Sequence, residues 1–479
     1  MKILIAASEA VPFFKTGGLA DVVGTLARKV AQRGHEVALF LPRYRGPELS
    51  FEGPGHEISV ELGGQKVLAT LRGLRNGGVR VFFVDCPPLF DRKGLYGENG
   101  VDYPDNDRRF IFFSRAILEG ARAAGFMPDV IHLHDWQTGA AAAYLKRQYR
   151  ADPFFAAAAS IFTVHNMAYQ GVFPPETVPL AALSWDDFTS GGFEYYGKFS
   201  FLKAGLVFAD LISTVSPTYA REIQESPDRG FGLEGLLKHR SGELRGIING
   251  LDLEVWNPET DHALTRRYGA ADVLAGKAAC KSALQRRCGL AERSDIPLLG
   301  IVSRLDRQKG LDLAIEILRP RLERCQLVVL GSGEPALAAA FSGLAKDNPQ
   351  SVYMHSGFDE PFAHQLYAAC DLFLMPSRFE PCGLGQMIAM RYGAVPVVSL
   401  TGGLVDTVAE GKPPANGFTA RPDDAADLGR AVDRALAVFG GQDWKKLARS
   451  AMSCDFSWDR SIDRYLELYD AARRRANVL

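Results

Sequence analysis

Cysteine is sparse in this 479-residue chain: the seven thiols are odd in number, scattered, and include no C-x-x-C pair. That excludes a disulfide framework and a zinc ribbon, and it makes a reducing cytoplasm the expected home. Net charge is equally scant, −1 from 55 Lys+Arg against 56 Asp+Glu, which argues against a protein that holds nucleic acid by bulk charge. Any phosphate recognition must therefore be local. No apolar stretch approaches the roughly 20 residues of a membrane span. The opening apolar run, residues 3–7, is cut by Glu9 and followed by Pro12 and Lys15, too soon for a secretory core. No internal repeat or low-complexity tract stands out.

What is present is ordinary globular sequence, 47% hydrophobic and 23% charged, in a chain long enough for two or three domains. Residues 2–7 form a buried-strand run, followed by the loop Lys15-Thr16-Gly17-Gly18. Leu19, Val22, Val23, Leu26 and Val30 then recur at helical spacing, and residues 36–41 resume as a strand. That is a βαβ unit. Strand-like runs continue at 79–85, 129–135, 160–166 and 211–216, with helical patterns between several of them, such as 108–124. A second series covers 297–305, 326–331, 352–358, 372–379 and 395–400. The expected class is α/β, two Rossmann-like doubly wound domains facing each other across a cleft. Expected boundaries are 1–248, 249–457, and a terminal helix within 458–479 packing back on the first domain. A basic helical stretch, 277–287, reads as a solvated helix face.

In open parallel sheets, ligands bind beyond the carboxyl ends of the strands, so the residues just after each run carry the functional information. After the first strand, Lys15 offers a charge, Gly17 and Gly18 let backbone approach a ligand, and Asp21 lies in the opening turn of the next helix. His132 and His134 share one side of a strand with Asp135 at its tip; core packing outweighs a metal pair there. His165-Asn166 ends another strand. In the second series, Arg304 and Lys309 set a planar fork and a point charge beside a helix start, a pair suited to a diphosphate. Gly331-Ser332-Gly333 adds a further loop of close backbone approach. Glu380, Cys382, Gly383 and Leu384 converge at another helix start, where a carboxylate can take sugar hydroxyls and amides can face an anion. Thr401-Gly402 closes the next strand in the same style. Together these loops indicate a nucleotide–sugar site. The D-x-D stretch Asp105-Asn106-Asp107 reads as a helix cap with a first-turn acid rather than a metal site.

Lys15 to Gly24, His134-Asp135-Trp136, Thr163-Val164-His165-Asn166, Asn249-Gly250, Trp256-Asn257-Pro258, Ser303-Arg304-Leu305, Gln308-Lys309-Gly310 and Arg378 to Leu384 occur in order along the chain. Together they resemble bacterial glycogen synthases and the related plant starch synthases. The resemblance implies a GT-B architecture and transfer of glucose from ADP-glucose to the non-reducing end of an α-1,4-glucan, with retention and no metal or other cofactor. UDP-glucose as preferred donor, or glucan binding without turnover, are the competing expectations. A chain opening directly on the first strand favours the bacterial branch. By motif, Lys15, Gly17, Gly18 and Asp21 fall in a donor-binding loop, and Arg304 with Lys309 holds the diphosphate. Glu380, Cys382, Gly383 and Leu384 meet the donor glucose, with Thr401 and Gly402 beside them. His165 sits at the reacting sugar, and Asp135 and Asn249 flank the donor–acceptor junction. Three positions depart from the family pattern: Asp306 replaces threonine, Gln137 replaces a histidine found in some relatives, and Ile388 stands where other retaining enzymes carry a second glutamate.

Overall fold

The protein is described by a computed structural model covering residues 1–98, 100–411 and 414–476. It divides into two compact units. One comprises residues 1–215, 220–250 and the chain from 458 onward; the other comprises 216–219 and 251–457.

In the first unit the described residues form a nine-stranded sheet. Its spatial order is Leu244–Gly246, Leu211–Thr214, Ala159–Val164, Val130–His134, Lys2–Ala6, Glu36–Pro42, Val79–Asp85, Gln65–Asn76 and Glu52–Leu62. The first seven pair in parallel, and the last two form an antiparallel hairpin added to the edge. The parallel strands are continuous apolar runs because helices cover both faces; Ile3, Leu4, Ile5 and Ala6 are fully buried. The helix Gly18–Gln32 makes the first crossover, burying Val22, Val23, Leu26 and Val30 on one side. The helix Trp458–Ala476 packs on this unit, with Trp458, Ile462, Tyr465 and Tyr469 buried. The Tyr469 hydroxyl lies 3.0 Å from His132 Nδ1, and Arg33 pairs with Asp463 at 2.8 Å.

In the second unit the described residues form a six-stranded parallel sheet ordered Val352–Ser356, Gln326–Gly331, Leu298–Val302, Leu372–Met375, Val395–Ser399 and Phe418–Ala420. Leu299, Ile301, Leu327, Val329, Leu372, Leu374, Val395 and Val397 form the centre of its core. Successive strands join through helices, so every strand's carboxyl end lies on one edge.

The basic helix departs from expectation. Val273–Arg287 buries Lys277 and Lys281 to 5% exposure each, so it is not a solvated face. Lys277 Nζ donates to three carbonyls, Tyr367 O, Ala368 O and Tyr392 O, at 3.3, 3.0 and 3.0 Å. Lys281 Nζ pairs with Asp371 at 2.7 Å. Burial lowers the Lys277 pKa, and the carbonyl cage is what keeps an ammonium tolerable there. Asp105 also differs from a helix cap in role. It occupies the N-cap position of Asn106–Ala123, but its carboxylate makes no cap bond and instead takes both Arg92 terminal nitrogens at 2.6 Å.

Candidate functional site

In the first unit, polar groups collect after the strands Lys2–Ala6, Val130–His134 and Ala159–Val164. Glu9 is 3% exposed, and its Oε2 accepts both the Thr16 backbone N–H at 2.5 Å and the Thr16 hydroxyl at 2.8 Å. A buried carboxyl thereby fastens the Lys15-Thr16-Gly17-Gly18 loop. Burial pushes the Glu9 pKa up to about 7, against the lowering effect of the Thr16 bonds. The neighbouring Ser8 hydroxyl lies 2.7 Å from that of Tyr96. Lys15 Nζ donates to Asp21 Oδ1 at 2.8 Å, one turn into the helix that Gly17 caps with no side-chain bond. A Cβ built on Gly17 would meet nothing within 4 Å, so the helix entrance has room for an incoming group.

Asp135 stands at the tip of Val130–His134 with φ +56°, a conformation costly for a non-glycine residue and commonest where function demands it. Its Oδ1 accepts the His165 backbone N–H at 2.7 Å, and its own N–H donates to Thr163 O at 2.9 Å. Burial raises the Asp135 pKa to about 7, with a smaller contribution from Glu9. The His165 ring follows Ala159–Val164, and its Nε2 lies 3.0 Å from His134 Nδ1. Burial lowers His165 to about 3, leaving the imidazole neutral near pH 7. His132, likewise lowered to about 3 by burial, is held between Tyr469 and Thr163. The two strand histidines are thus hydrogen-bonded core groups. No group of three or more His, Cys, Asp or Glu suited to a metal occurs among the described residues. Asn249 is 4% exposed, and its Oδ1 has no hydrogen-bond partner among the described residues.

The second unit joins the Arg304–Lys309 loop to the loop before Glu380. Lys309 Nζ donates to Glu380 Oε2 at 2.7 Å and to Oε1 at 2.9 Å. Ser377 adds its hydroxyl to Glu380 Oε2 at 2.9 Å. Two further bonds zip the loops together: Arg378 N–H to Gln308 O at 2.8 Å, and Gln308 Nε2 to Phe379 O at 3.1 Å. Arg304 is half exposed and lies 3.1 Å from Asp306 Oδ2. Cys382 is buried and outside any disulfide, while Gly383 and Leu384, just before the helix Gly385–Arg391, are partly exposed. Gln386 lies beneath them, donating from Nε2 to Cys382 O at 3.2 Å and Gly383 O at 2.9 Å. Thr401 is buried, and Gly402 adopts φ +47°. A Cβ there would lie 1.9 Å from Glu380 O, so only glycine fits. The loop Gly331-Ser332-Gly333 serves the protein's own chain: Leu305 N–H donates to Ser332 O at 2.9 Å, and Glu334 N–H to Leu305 O at 2.7 Å.

Sequence reasoning missed Glu9, Tyr96, Ser377 and Gln386. Glu9 carries a signal, because a carboxylate two residues beyond a buried apolar run needs a partner or a purpose. Ser377 lies inside the stretch already singled out. Tyr96 and Gln386 have no local signature.

Residues 2–239 match the starch synthase catalytic domain family, and residues 296–437 match glycosyl transferases group 1. The chain is 46% identical over 480 residues to a glycogen synthase of Syntrophotalea carbinolica, covering 98% of this chain and 99% of that protein. It is 47% identical over 476 residues to a glycogen synthase of an Anaeromyxobacter species, with the same coverage. The catalytic domain of starch synthase IV from Arabidopsis thaliana, solved bound to ADP and acarbose, superposes with a TM-score of 0.90. Identity is 34%, over 99% of both chains. A sucrose-phosphate synthase from Thermosynechococcus elongatus, 20% identical with a TM-score of 0.61 over 98% of both chains, shares the fold.

Proposed function

This chain belongs to the glycogen and starch synthase family, and from that premise we propose that it transfers glucose from ADP-glucose to the non-reducing end of an α-1,4-glucan. The anomeric configuration is retained and ADP leaves. The observation that carries the reading is the second unit's charge constellation: Arg304 and Lys309 on one loop, with Glu380 on the loop zipped to it. In glucosyl transfer from a nucleotide sugar, negative charge develops on the leaving diphosphate, so fixed cations there stabilise the transition state most. Arg304 supplies a fork and Lys309 a point charge for that anion, and the reading calls on no metal. As the diphosphate engages Lys309, Glu380 is released to accept hydrogen bonds from the hydroxyls of the donor glucose, with Cys382, Gly383 and Leu384 lining the same place and Thr401 and Gly402 behind it.

The first unit carries the other groups that the family motifs implicate. His165, neutral through burial, can donate or accept a hydrogen bond at the reacting sugar without adding charge. Asp135 and Asn249 present buried polar atoms suited to the donor–acceptor junction. Lys15 and Asp21, with Gly17 and Gly18, form the donor loop that Glu9 anchors.

The test is incubation with glycogen and labelled ADP-glucose in the presence of a chelator. Polymer-bound label is expected; a folded protein that incorporates none overturns the reading. UDP-glucose run in parallel settles donor choice, with ADP-glucose expected to give the higher kcat/KM.

A further inference from the structure

Asp306 uses its two carboxylate oxygens for different partners. Oδ1 accepts the Lys309 backbone N–H at 3.2 Å and caps the short turn Arg307–Lys309. Oδ2 lies 3.1 Å from Arg304 Nη1. One oxygen therefore shapes the turn that carries Lys309, and the other puts a negative charge on the guanidinium.

The Arg304–Asp306 pair is open to exchange. The Arg304 side chain is 52% exposed and that of Asp306 24%, so water screens the contact and holds it to the modest strength of a surface ion pair. A diphosphate brings more charge and can offer the guanidinium two oxygens at once, so it competes well for Arg304. The displaced carboxylate has little room to withdraw, because its cap bond to Lys309 N anchors it in the turn. It stays beside the bound anion and opposes it, while a neutral capping residue would serve the turn equally well. Nothing about the local fold requires a charge here.

We propose that Asp306 sets the affinity of the diphosphate site: it positions Arg304 when the site is empty, competes for Arg304 when it is filled, and so weakens retention of the product nucleoside diphosphate. The inference rests on the roles proposed above for Arg304 and Lys309. It gives Asp306 no part in bond making or breaking; it is a positioning residue that trades product affinity for release.

Asp306→Asn separates the two functions, since the amide keeps an acceptor oxygen for the cap and loses the charge. At low ionic strength its ADP product-inhibition constant should fall about three- to fivefold below that of the unmodified protein, the scale of an exposed ion pair. The difference should shrink at about 0.5 M salt, where screening is strong. The KM for glucan and the melting temperature should not change. Asp306→Ala also loses the cap and should melt lower, which identifies what a purely structural role would do. Unchanged or weaker ADP inhibition in Asp306→Asn overturns the inference, and so does a tightening that salt leaves intact. Arg304→Ala distinguishes the failures. If it weakens ADP while Asp306→Asn fails to tighten it, this inference alone falls. If Arg304→Ala leaves ADP inhibition unaltered, the assignment of the diphosphate to Arg304 falls as well.

Discussion

Lys309 and Glu380 form a bidentate pair 71 residues apart in sequence, with Nζ 2.7 and 2.9 Å from the two carboxylate oxygens. Their side chains are 17% and 7% exposed, so the pair is largely withdrawn from water, unlike the half-exposed Arg304. Each partner satisfies the other's desolvated charge until a ligand supplies better ones. The two cations assigned to one diphosphate therefore have different structural dependence.

Substitution should separate them. Lys309→Ala leaves Glu380 with a buried charge and, among the described residues, just the Ser377 hydroxyl as a side-chain partner, so it should lower stability by about 1–3 kcal/mol as well as glucosyl transfer. Arg304→Ala should leave the unfolding free energy within about 0.5 kcal/mol of that of the unmodified protein. Its transfer rate should fall roughly 10- to 150-fold, the loss of one or two charge-assisted bonds. Urea unfolding and donor kinetics on both variants check this; equal stability losses would contradict it.

The Gly402 contact gives a steric prediction. Alanine at this position meets the Glu380 carbonyl at 1.9 Å in a backbone conformation, φ +47°, that L side chains resist. Gly402→Ala should cost about 1–3 kcal/mol and displace Glu380, raising the donor KM and lowering kcat together. Gly343→Ala is the control. Gly343 lies within the helix Pro335–Asp347, and a Cβ there has nothing within 4 Å, so it should stabilise by up to about 1 kcal/mol with kinetics unchanged.

The parallel sheets are legible in the sequence because strands buried on both faces are written as short apolar runs, as in residues 3–6 and 327–330. The edge hairpin is harder to find. Glu52–Leu62 and Gln65–Asn76 are largely solvent-facing, so a search for apolar runs passes over them. Their mark is the Gly63-Gly64 turn, with φ +58° and +76°, the signature of a two-residue hairpin. At the site, residue types and strand-end positions identify Arg304, Lys309, Glu380 and Asp135. Partnership is another matter: the Lys309–Glu380 bond and the Glu9 hold on Thr16 arise from tertiary approach. The fate of Lys277 is the extreme case. Its carbonyl partners at Tyr367, Ala368 and Tyr392 lie some ninety or more positions away, and nothing in the local charge pattern distinguishes it from a solvated lysine.

That cage predicts a structural phenotype away from the chemistry. Lys277→Ala strands three carbonyls and opens a cavity, and should cost about 3–5 kcal/mol. Lys277→Met keeps the apolar stem and should cost less. In both, the donor KM of the folded fraction should match that of the unmodified protein. Urea midpoints and steady-state kinetics test the pair; a stable Lys277→Ala protein would show that the cage contributes little.

Glu9 and Asp135 give the protein a pH signature. Both carboxyls are raised by burial to about 7; the Glu9 charge adds to the shift of Asp135, and the Asp21 charge to that of Glu9. In the unfolded chain a glutamate releases its proton near 4.3, so between about pH 4.5 and 7 the native state holds a proton that the unfolded state has lost. Stability therefore falls as pH rises through that window, and the cost is fully present above about 7. For Glu9 the cost is on the order of 3–4 kcal/mol. Glu9→Gln keeps an acceptor for Thr16 and removes the titration. Relative to the unmodified protein, its denaturant midpoint should improve more at pH 8 than at pH 4.5. With the Glu9 charge gone, Asp135 should also titrate lower, moving the corresponding limb of the pH profile of kcat/KM toward acid. Stability differences equal at both pH values, together with an unmoved limb, would show that Glu9 is already ionised in the folded protein and does not communicate with Asp135.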